Sequence, residues 1–220
     1  MTHMKITKIL AALFLTSALS ACTYDREGPP EYHYQEFKTR APTDHTVFVC
    51  HAYGCKMQTP VKFGSEQMAE IAALMKKIKK ADTPFEERRA IAYAVAWAET
   101  YAGKITGTSA DHAGMEFTGS GDPTQQDCVD EATNTTSYML MLEKAGLLKH
   151  HTVGRPFSKG NVLVGGVSQW PHWTAVLYEN ETKKKWAVDS WIYANGINPA
   201  VIEADKWYIK DLDNLPKSQS

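Results

Sequence analysis

The feature that most constrains this 220-residue chain is a helical segment that begins at Asp127 and ends in a run that is apolar on almost every side. Asp127 is a good helix cap, and Asp130 follows three residues later. The run of residues 138–142 (Tyr-Met-Leu-Met-Leu) is apolar almost all round, and Gly146 supplies a typical helix end. A helix with this pattern is buried, so the rest of the chain must fold around it.

The remaining elements are placed by helix caps and by apolar runs. Two amphipathic helices precede the central one, and a long polar loop that is rich in Gly and Ser separates them from it. Apolar runs that follow the central helix predict strands. The expected ranges are helices 65–81 and 83–103, loop 103–126, and strands 162–167, 172–178 and 186–193. Helices followed by antiparallel strands indicate an α+β domain.

The charge balance excludes one large class of function. Lys plus Arg number 24 and Asp plus Glu number 25, for a formal net charge of -1. Proteins that bind nucleic acids usually carry a basic surplus or stripe, which this chain lacks. The sequence therefore predicts no nucleic-acid partner.

The N-terminus has the pattern of an export signal. Lys5 and Lys8 precede an apolar stretch that is too short to span a bilayer as a mature helix. Residues 19–22 (Leu-Ser-Ala-Cys) resemble the bacterial lipobox, which predicts a signal peptide over residues 1–21 and a lipid on Cys22. Thr23 is not the Asp that retains such lipoproteins at the inner membrane. We therefore expect a protein of the bacterial cell envelope, at the outer membrane and facing the periplasm, that contacts the membrane only through this anchor.

The domain boundaries follow from the composition. Residues 22–44 are polar and contain a Gly-Pro-Pro sequence, which predicts a tether, and residues 45–220 form a single domain.

Four cysteines are present, and the export signal bears on how they are used. Cys50 and Cys55 are spaced for a small disulfide loop in an oxidising compartment. A zinc cluster of these cysteines with His45 and His51 is the alternative, although the spacing is not that of a standard zinc finger. Cys128 is left without a partner.

Cys128 lies in the first turn of the central helix, where the helix dipole and unpaired amides lower a thiol pKa. A nucleophilic thiol needs a base, and the base needs an orienting partner. His172 and Asp189 fit these roles. A hairpin with its turn around residues 180–181 would place them directly opposite each other on one face.

Three short segments carry a resemblance to a known family. Residues 126–132 (QDCVDEA), 172–176 (HWTAV) and 187–191 (AVDSW) resemble the transglutaminase-like branch of the papain-type cysteine enzymes. The resemblance covers about 100 residues, from the loop before Cys128 to the C-terminus. It implies a helical N-terminal part, with the catalytic cysteine at the start of a central helix that packs on an antiparallel sheet.

The resemblance also implies a reaction. Cys128 would be the nucleophile, His172 the general base and Asp189 its orienting partner, while Gln125 or Gln126 would supply an oxyanion donor. The expected activity is hydrolysis of a peptide or amide bond in a peptide or protein substrate, through an acyl-thioester. A periplasmic relative binds calcium through acidic residues beside its cysteine, but Val129 stands where this chain would need the second acidic ligand. Calcium is therefore not the expected cofactor, and no other metal or cofactor is implied.

A second hypothesis belongs to a different class of function. Aromatic residues near the expected cleft would suit an inactive lipoprotein that binds a peptide, a glycan or a protein partner there. These residues are Trp170, Trp173, Trp191 and Tyr193. Two further polar pairs, Asp111–His112 and His150–His151, are weaker candidates for a site.

Overall fold

The computed structural model describes Arg26 and residues 28–114, 116–160 and 171–209, apart from the side chain of Phe117. The expected signal peptide (residues 1–21), Cys22 and the expected strand over residues 162–167 lie outside the described residues.

The described residues form five α-helices and two antiparallel sheets, which confirms the α+β class. The helices are α1 (Glu31–Glu36), α2 (Ser65–Ile78), α3 (Pro84–Thr106), α4 (Cys128–Lys144) and α5 (Ala204–Ile209). The strands are β1 (Thr46–His51), β2 (Met57–Lys62), β3 (His151–Lys159), β4 (His172–Glu179), β5 (Lys185–Asp189) and β6 (Ala200–Glu203). β1 pairs with β2, and the larger sheet has the order β3-β4-β5-β6.

The helix starts agree with the sequence pattern better than the helix ends do. Thr83 caps α3 by accepting a hydrogen bond from the backbone of Glu86, and Pro84 occupies the first helical position. The helix continues past Gly103, where the sequence predicted its end, and stops at Gly107 with φ 88°. Gly103 serves packing instead, because a Cβ there would lie 2.9 Å from the side chain of Asn195.

Several elements were not predicted because their local patterns are weak. Strand β2 carries Pro60 and is largely exposed or half-buried, so it shows no apolar alternation. Strand β3 contains Gly154 and Pro156, and its register shifts between Gly154 and Phe157. Pairing with a neighbouring strand stabilises these segments, and pairing leaves little trace in a local sequence window.

The predicted register of the β4–β5 hairpin was wrong by two residues. Ala175 pairs with Val188 and Val176 with Ala187, so Asp189 is displaced by two positions from the partner of His172. A shift of two preserves the face on which each side chain lies, whereas a shift of one would have reversed it. His172 and Asp189 are therefore diagonal neighbours on the same face. Strand β5 also ends at Asp189, earlier than predicted.

The larger sheet is covered on both faces. Helix α4 packs on the face that carries Ala175, Leu177 and Val188, together with α2, α3 and the small sheet. The opposite face belongs to a second apolar cluster that contains Val176 and Trp207 of α5. The central position predicted for the helix that begins at Cys128 agrees with this arrangement.

Part of the segment that was predicted as a tether is packed against the domain. In helix α1, His33 and Tyr34 are buried. His33 Nε2 lies 2.8 Å from Thr133 Oγ1, and Tyr34 Oη lies 2.8 Å from Ser137 Oγ, both on α4. The segment is polar overall, so its two buried positions did not stand out in the sequence.

Candidate active site

Cys128 is the first residue of α4, at the position where the sequence predicted it. Asp127 caps the helix by accepting backbone hydrogen bonds from Val129 at 3.1 Å and Asp130 at 2.9 Å. The Asp130 side chain accepts in turn from the backbone of Asp127, which completes a reciprocal cap. The sequence analysis expected unpaired amides in this turn to stabilise a Cys128 thiolate. The amides of Val129 and Asp130 instead bond to the Asp127 carboxylate.

The thiol of Cys128 is held against the backbone on both sides of His172. Its Sγ lies 3.5 Å from the carbonyl oxygen of Pro171, and the backbone N–H of Trp173 bonds to the sulfur. Cys128 is 3% exposed. Burial raises the pKa of its thiol to about 12, and the nearby carboxylates of Asp127, Asp189 and Asp130 act in the same direction.

The predicted lowering of the Cys128 pKa is therefore wrong for this state of the protein. The helix dipole favours a thiolate, but loss of water around the sulfur and three neighbouring carboxylates outweigh it. The resting site holds a neutral thiol.

His172 and Asp189 meet as predicted. His172 Nε2 lies 2.7 Å from Asp189 Oδ2, and the indole Nε1–H of Trp207 donates to the same oxygen at 2.7 Å. An acceptor at Nε2 fixes the neutral imidazole as the tautomer that carries its proton there. His172 Nδ1 then presents a lone pair, and it is buried without a hydrogen-bond partner among the described residues.

Two indole rings enclose this pair. The ring centroid of His172 lies 4.6 Å from that of Trp191 and 5.5 Å from that of Trp207. Such an enclosure excludes water and strengthens the hydrogen bond between the imidazole and Asp189. Trp207 was not singled out in the sequence because it lies 18 residues beyond Asp189 in a helix of only six residues.

The structure brings Cys128 to the end of β4 that carries His172, but it does not join the thiol to the imidazole. His172 and Asp189 lie on the face of the sheet that α5 covers, whereas α4 covers the opposite face. Cys128 and His172 come close only because α4 and β4 both begin at this end of the sheet. The hydrogen bond of the thiol goes to Pro171 rather than to His172.

The two candidate oxyanion donors have different surroundings. The Gln126 side-chain amide donates to the carbonyl oxygen of Cys50 at 2.9 Å, so it is bound to strand β1, which carries one cysteine of the disulfide. The Gln125 side-chain amide makes two long contacts: its N–H donates to the hydroxyl of Thr124 at 3.5 Å, and its Oε1 accepts from the backbone of His112 at 3.4 Å. Gln125 is thus the one whose amide is easier to redirect towards a substrate.

A group of buried carboxyls lies behind the site, and of its members the sequence analysis singled out only Asp111, in the pair Asp111–His112. Asp111 accepts a hydrogen bond from the backbone of Gln126 at 2.7 Å, two residues before Cys128. Burial raises the pKa of Asp111 to about 7 and that of Glu99 to about 7. Burial, aided by the charge of Glu99, also raises the pKa of Glu131 on α4. The sequence signal was a glutamate within an alanine-rich apolar stretch of α3, where a charged side chain is unexpected.

The cysteine pair forms the predicted disulfide between Cys50 and Cys55. Both cysteines and Asp130 converge within 4.8 Å, but disulfide sulfurs are poor metal ligands. Each of the four carboxylate oxygens of Asp127 and Asp130 accepts at least one backbone N–H, so these side chains do not form an open calcium cage.

The other histidine candidates have structural partners. His51 contacts Pro123 and Thr59 through its two ring nitrogens and does not join the cysteines. His150 contacts Asp82, and His151 contacts the buried carboxylate of Glu87 at 3.0 Å.

Comparison with known protein families, curated proteins and solved structures finds no match to this chain. Within the described residues, no helix is both long and apolar enough to cross a membrane.

Proposed function

We propose that this protein is an exported cysteine hydrolase of the papain or transglutaminase-like type that cleaves a peptide or amide bond. The observation that carries the proposal is the arrangement at His172. Its Nε2 is held by Asp189, and its buried Nδ1 has no partner. The strand end that presents it also contacts the sulfur of Cys128.

The proposed reaction begins from the neutral thiol. The Cys128 side chain turns from the Pro171 carbonyl towards the imidazole, and His172 Nδ1 accepts the thiol proton as Sγ attacks the substrate carbonyl carbon. Asp189 stabilises the imidazolium that forms. The imidazolium then protonates the leaving amine, and water, deprotonated by His172, hydrolyses the thioester. The Gln125 amide is the proposed side-chain donor to the oxyanion.

Alkylation of Cys128 tests the proposed pair without a known substrate. Iodoacetamide is added to the full chain between pH 6 and 9, and the modified peptide is quantified by mass spectrometry, which separates Cys128 from Cys22. We expect His172→Ala to slow alkylation about 100-fold near pH 7.5, the lower end of the range for a lost general base. His45→Ala, which removes an exposed histidine, is the matched control. Equal rates in the wild type and His172→Ala would exclude an activated pair.

A substrate screen tests the reaction class. Wild type and Cys128→Ala are incubated with a peptide mixture and a fluorescent primary amine. New peptide termini in the wild type alone indicate hydrolysis, and incorporation of the amine indicates acyl transfer. Equal products from the two proteins would contradict the proposed role of Cys128.

A second candidate function is supported by the burial of the thiol. A site whose nucleophile is 3% exposed and bonded to backbone is also what an inactive binding protein would retain. This alternative predicts that a peptide or glycan ligand binds Cys128→Ser as tightly as the wild type and is released unchanged. Calorimetry measures the affinity for the ligand, and mass spectrometry of the recovered ligand shows whether it was cleaved. Together they separate the two functions.

Attachment through Cys22 remains part of the proposal, with the domain at the outer membrane and facing the periplasm. Mass spectrometry of the membrane-extracted protein should show a lipid-modified N-terminal cysteine. Cys22→Ser should shift the protein to the soluble fraction. An unmodified Cys22 in the wild type would contradict the anchor.

A further inference from the structure

The loop closed by the disulfide has an unusual backbone. Ala52, Tyr53, Gly54 and Cys55 have φ values of 70°, 68°, 63° and 56°. Four consecutive residues are thus left-handed, although only one of them is glycine. A left-handed conformation costs about 1–2 kcal/mol for each residue with a side chain. The surroundings must therefore hold this turn in place.

Hydrogen bonds from the turn to helix α4 supply that restraint. The backbone N–H groups of Tyr53 and Cys55 donate to Asp130 at 2.8 and 2.6 Å, and that of Gly54 donates to Asp127 at 2.9 Å. Successive amides in such a turn form a concave anion-binding surface. Here the turn amides meet the two carboxyl groups that cap the helix of Cys128. Burial and the charge of Asp127 raise the pKa of Asp130 well above its usual value, and the amides of Cys55 and Tyr53 act in the opposite direction by favouring the charged carboxylate.

The same carboxylates act on Cys128. The charged and titratable groups around its thiol are Asp127 and Asp130 at the start of α4, His172 on β4 and Asp189 on β5. A negative charge beside a thiol makes its thiolate more costly, and amide donors that bond to that charge reduce the cost. The turn therefore acts on Cys128 indirectly, through its hydrogen bonds to the two carboxyl groups that cap α4.

We propose that the left-handed turn Ala52–Cys55 is a positioning element for Cys128, and that the Cys50–Cys55 disulfide sets the reactivity of the thiol by closing this turn. The inference rests on the proposed role of Cys128 as the nucleophile. Without the disulfide the turn relaxes towards ordinary φ values, and its amides leave the carboxylates. The uncompensated charges then disfavour the thiolate, and the first turn of α4 loses its anchor.

The main test removes the disulfide without adding thiols. Cys50→Ala/Cys55→Ala is compared with the wild type as the full chain, by peptide-resolved alkylation of Cys128 between pH 7 and 9. A thiol far below its pKa reacts in proportion to its thiolate fraction, so a pKa rise of one unit appears as an approximately tenfold lower rate at every pH. We expect a loss of about this size.

A second substitution separates charge compensation from general loosening. In an Asp130→Asn background, the side chain that accepts two of the three turn amides is always neutral. Removal of the disulfide in that background should therefore lower the logarithm of the alkylation rate by less than half of the decrease seen when the disulfide is removed from the wild type. An undiminished effect would overturn the electrostatic part of the proposal.

A matched pair of glycine substitutions covers the case in which the disulfide-free protein does not fold. Gly54 and Gly146 both have left-handed φ values, 63° and 71°, and a Cβ at either one meets nothing within 4 Å. Gly54→Ala strains the turn beside the start of α4, and Gly146→Ala adds similar strain beyond its end. Both should lower the unfolding temperature, and only Gly54→Ala should slow the alkylation of Cys128.

Two outcomes separate this inference from the proposed function. Equal alkylation in Gly54→Ala and Gly146→Ala, while His172→Ala remains slow, would overturn the role of the turn and leave the catalytic pair standing. Slower alkylation in Gly54→Ala with no effect of His172→Ala would retain the turn and remove the catalytic pair.

Discussion

At the scale of single residues, the buried carboxyls are the feature with the clearest physical consequence. Glu99 is 4% exposed, and it accepts a hydrogen bond from the backbone of Gly196 through Oε2. Within the part of the chain that the structure describes, its Oε1 and the Oε2 of Glu131 are buried without a hydrogen-bond partner. A buried carboxyl pair cannot readily hold two negative charges, so the folded state retains a proton there.

The retained proton predicts a dependence of stability on pH. Burial raises the pKa of Glu99 from 4.5 to about 7, so the folded state binds this proton more tightly than the unfolded chain. The resulting stabilisation is fully present below pH 4.5 and is lost as the pH rises through 7, and it amounts to at most about 3 kcal/mol. Urea unfolding at pH 5 and pH 8 measures it.

Glu99→Gln should reduce this loss, because an amide is neutral at both pH values and can still accept the bond from Gly196. Glu70→Gln removes an exposed carboxyl from α2 and should leave the pH dependence unchanged. If the wild type and Glu99→Gln lost the same free energy of unfolding between pH 5 and pH 8, the shared proton would have to lie elsewhere.

At the scale of secondary-structure elements, helix α5 shows how a very short helix can organise a site. It has six residues, and its buried Trp207 covers one face of the sheet and donates to Asp189. Isolated helices of this length are unstable, so tertiary contacts hold α5 in place.

We expect Trp207→Phe to lower the free energy of unfolding by about 2–4 kcal/mol, since it removes both a buried hydrogen bond to a carboxylate and part of a core side chain. Trp191→Phe is a matched control, because Trp191 is 8% exposed and its indole Nε1 has no hydrogen-bond partner. Its cost should be smaller by at least about 1 kcal/mol, the usual value of one hydrogen bond. Equal losses for the two variants in urea unfolding would argue against the contact with Asp189.

At the scale of the whole molecule, the N-terminal segment belongs to the folded unit. Two side chains of helix α1 contact α4, and the ring of His33 lies 5.4 Å from that of Trp173 beside the candidate site. A polypeptide that began at residue 45, the predicted boundary, would leave this face of α4 uncovered.

Two tyrosines on α1 test this integration. Tyr34 is 3% exposed and Tyr32 is 47% exposed. Tyr34→Ala should lower the free energy of unfolding by about 3–5 kcal/mol, as expected for a large buried aromatic residue. Tyr32→Ala should cost less than about 1 kcal/mol, because Tyr32 loses mainly a surface contact with Arg155. Similar small losses in thermal unfolding would mean that α1 contributes little to the fold.

The sequence predicted the candidate site better than it predicted the sheet around it. The cap at Asp127, the placement of Cys128 and the pairing of His172 with Asp189 follow from side-chain chemistry that is local or periodic. The two-residue error in the β4–β5 register did not separate that pair, because alternate residues of a strand share a face. Strands β2 and β3 were missed because pairing stabilises them more than local pattern does, whereas β1 (TVFVCH) and β6 (AVIE) are short apolar runs that the sequence analysis did not assign to strands.

The sequence by itself determined the α+β class, the start of the central helix and the residue types of the site, because caps and apolar periodicity act over a few residues. The tertiary structure alone decided the environment of the thiol. Burial and three carboxylates, Asp127 and Asp130 beside Cys128 in the sequence and Asp189 on β5, reversed the expected direction of the Cys128 pKa shift. Their fields act through space, and so does the hydrogen bond of Trp207. A sequence read residue by residue does not contain the distances on which such interactions depend.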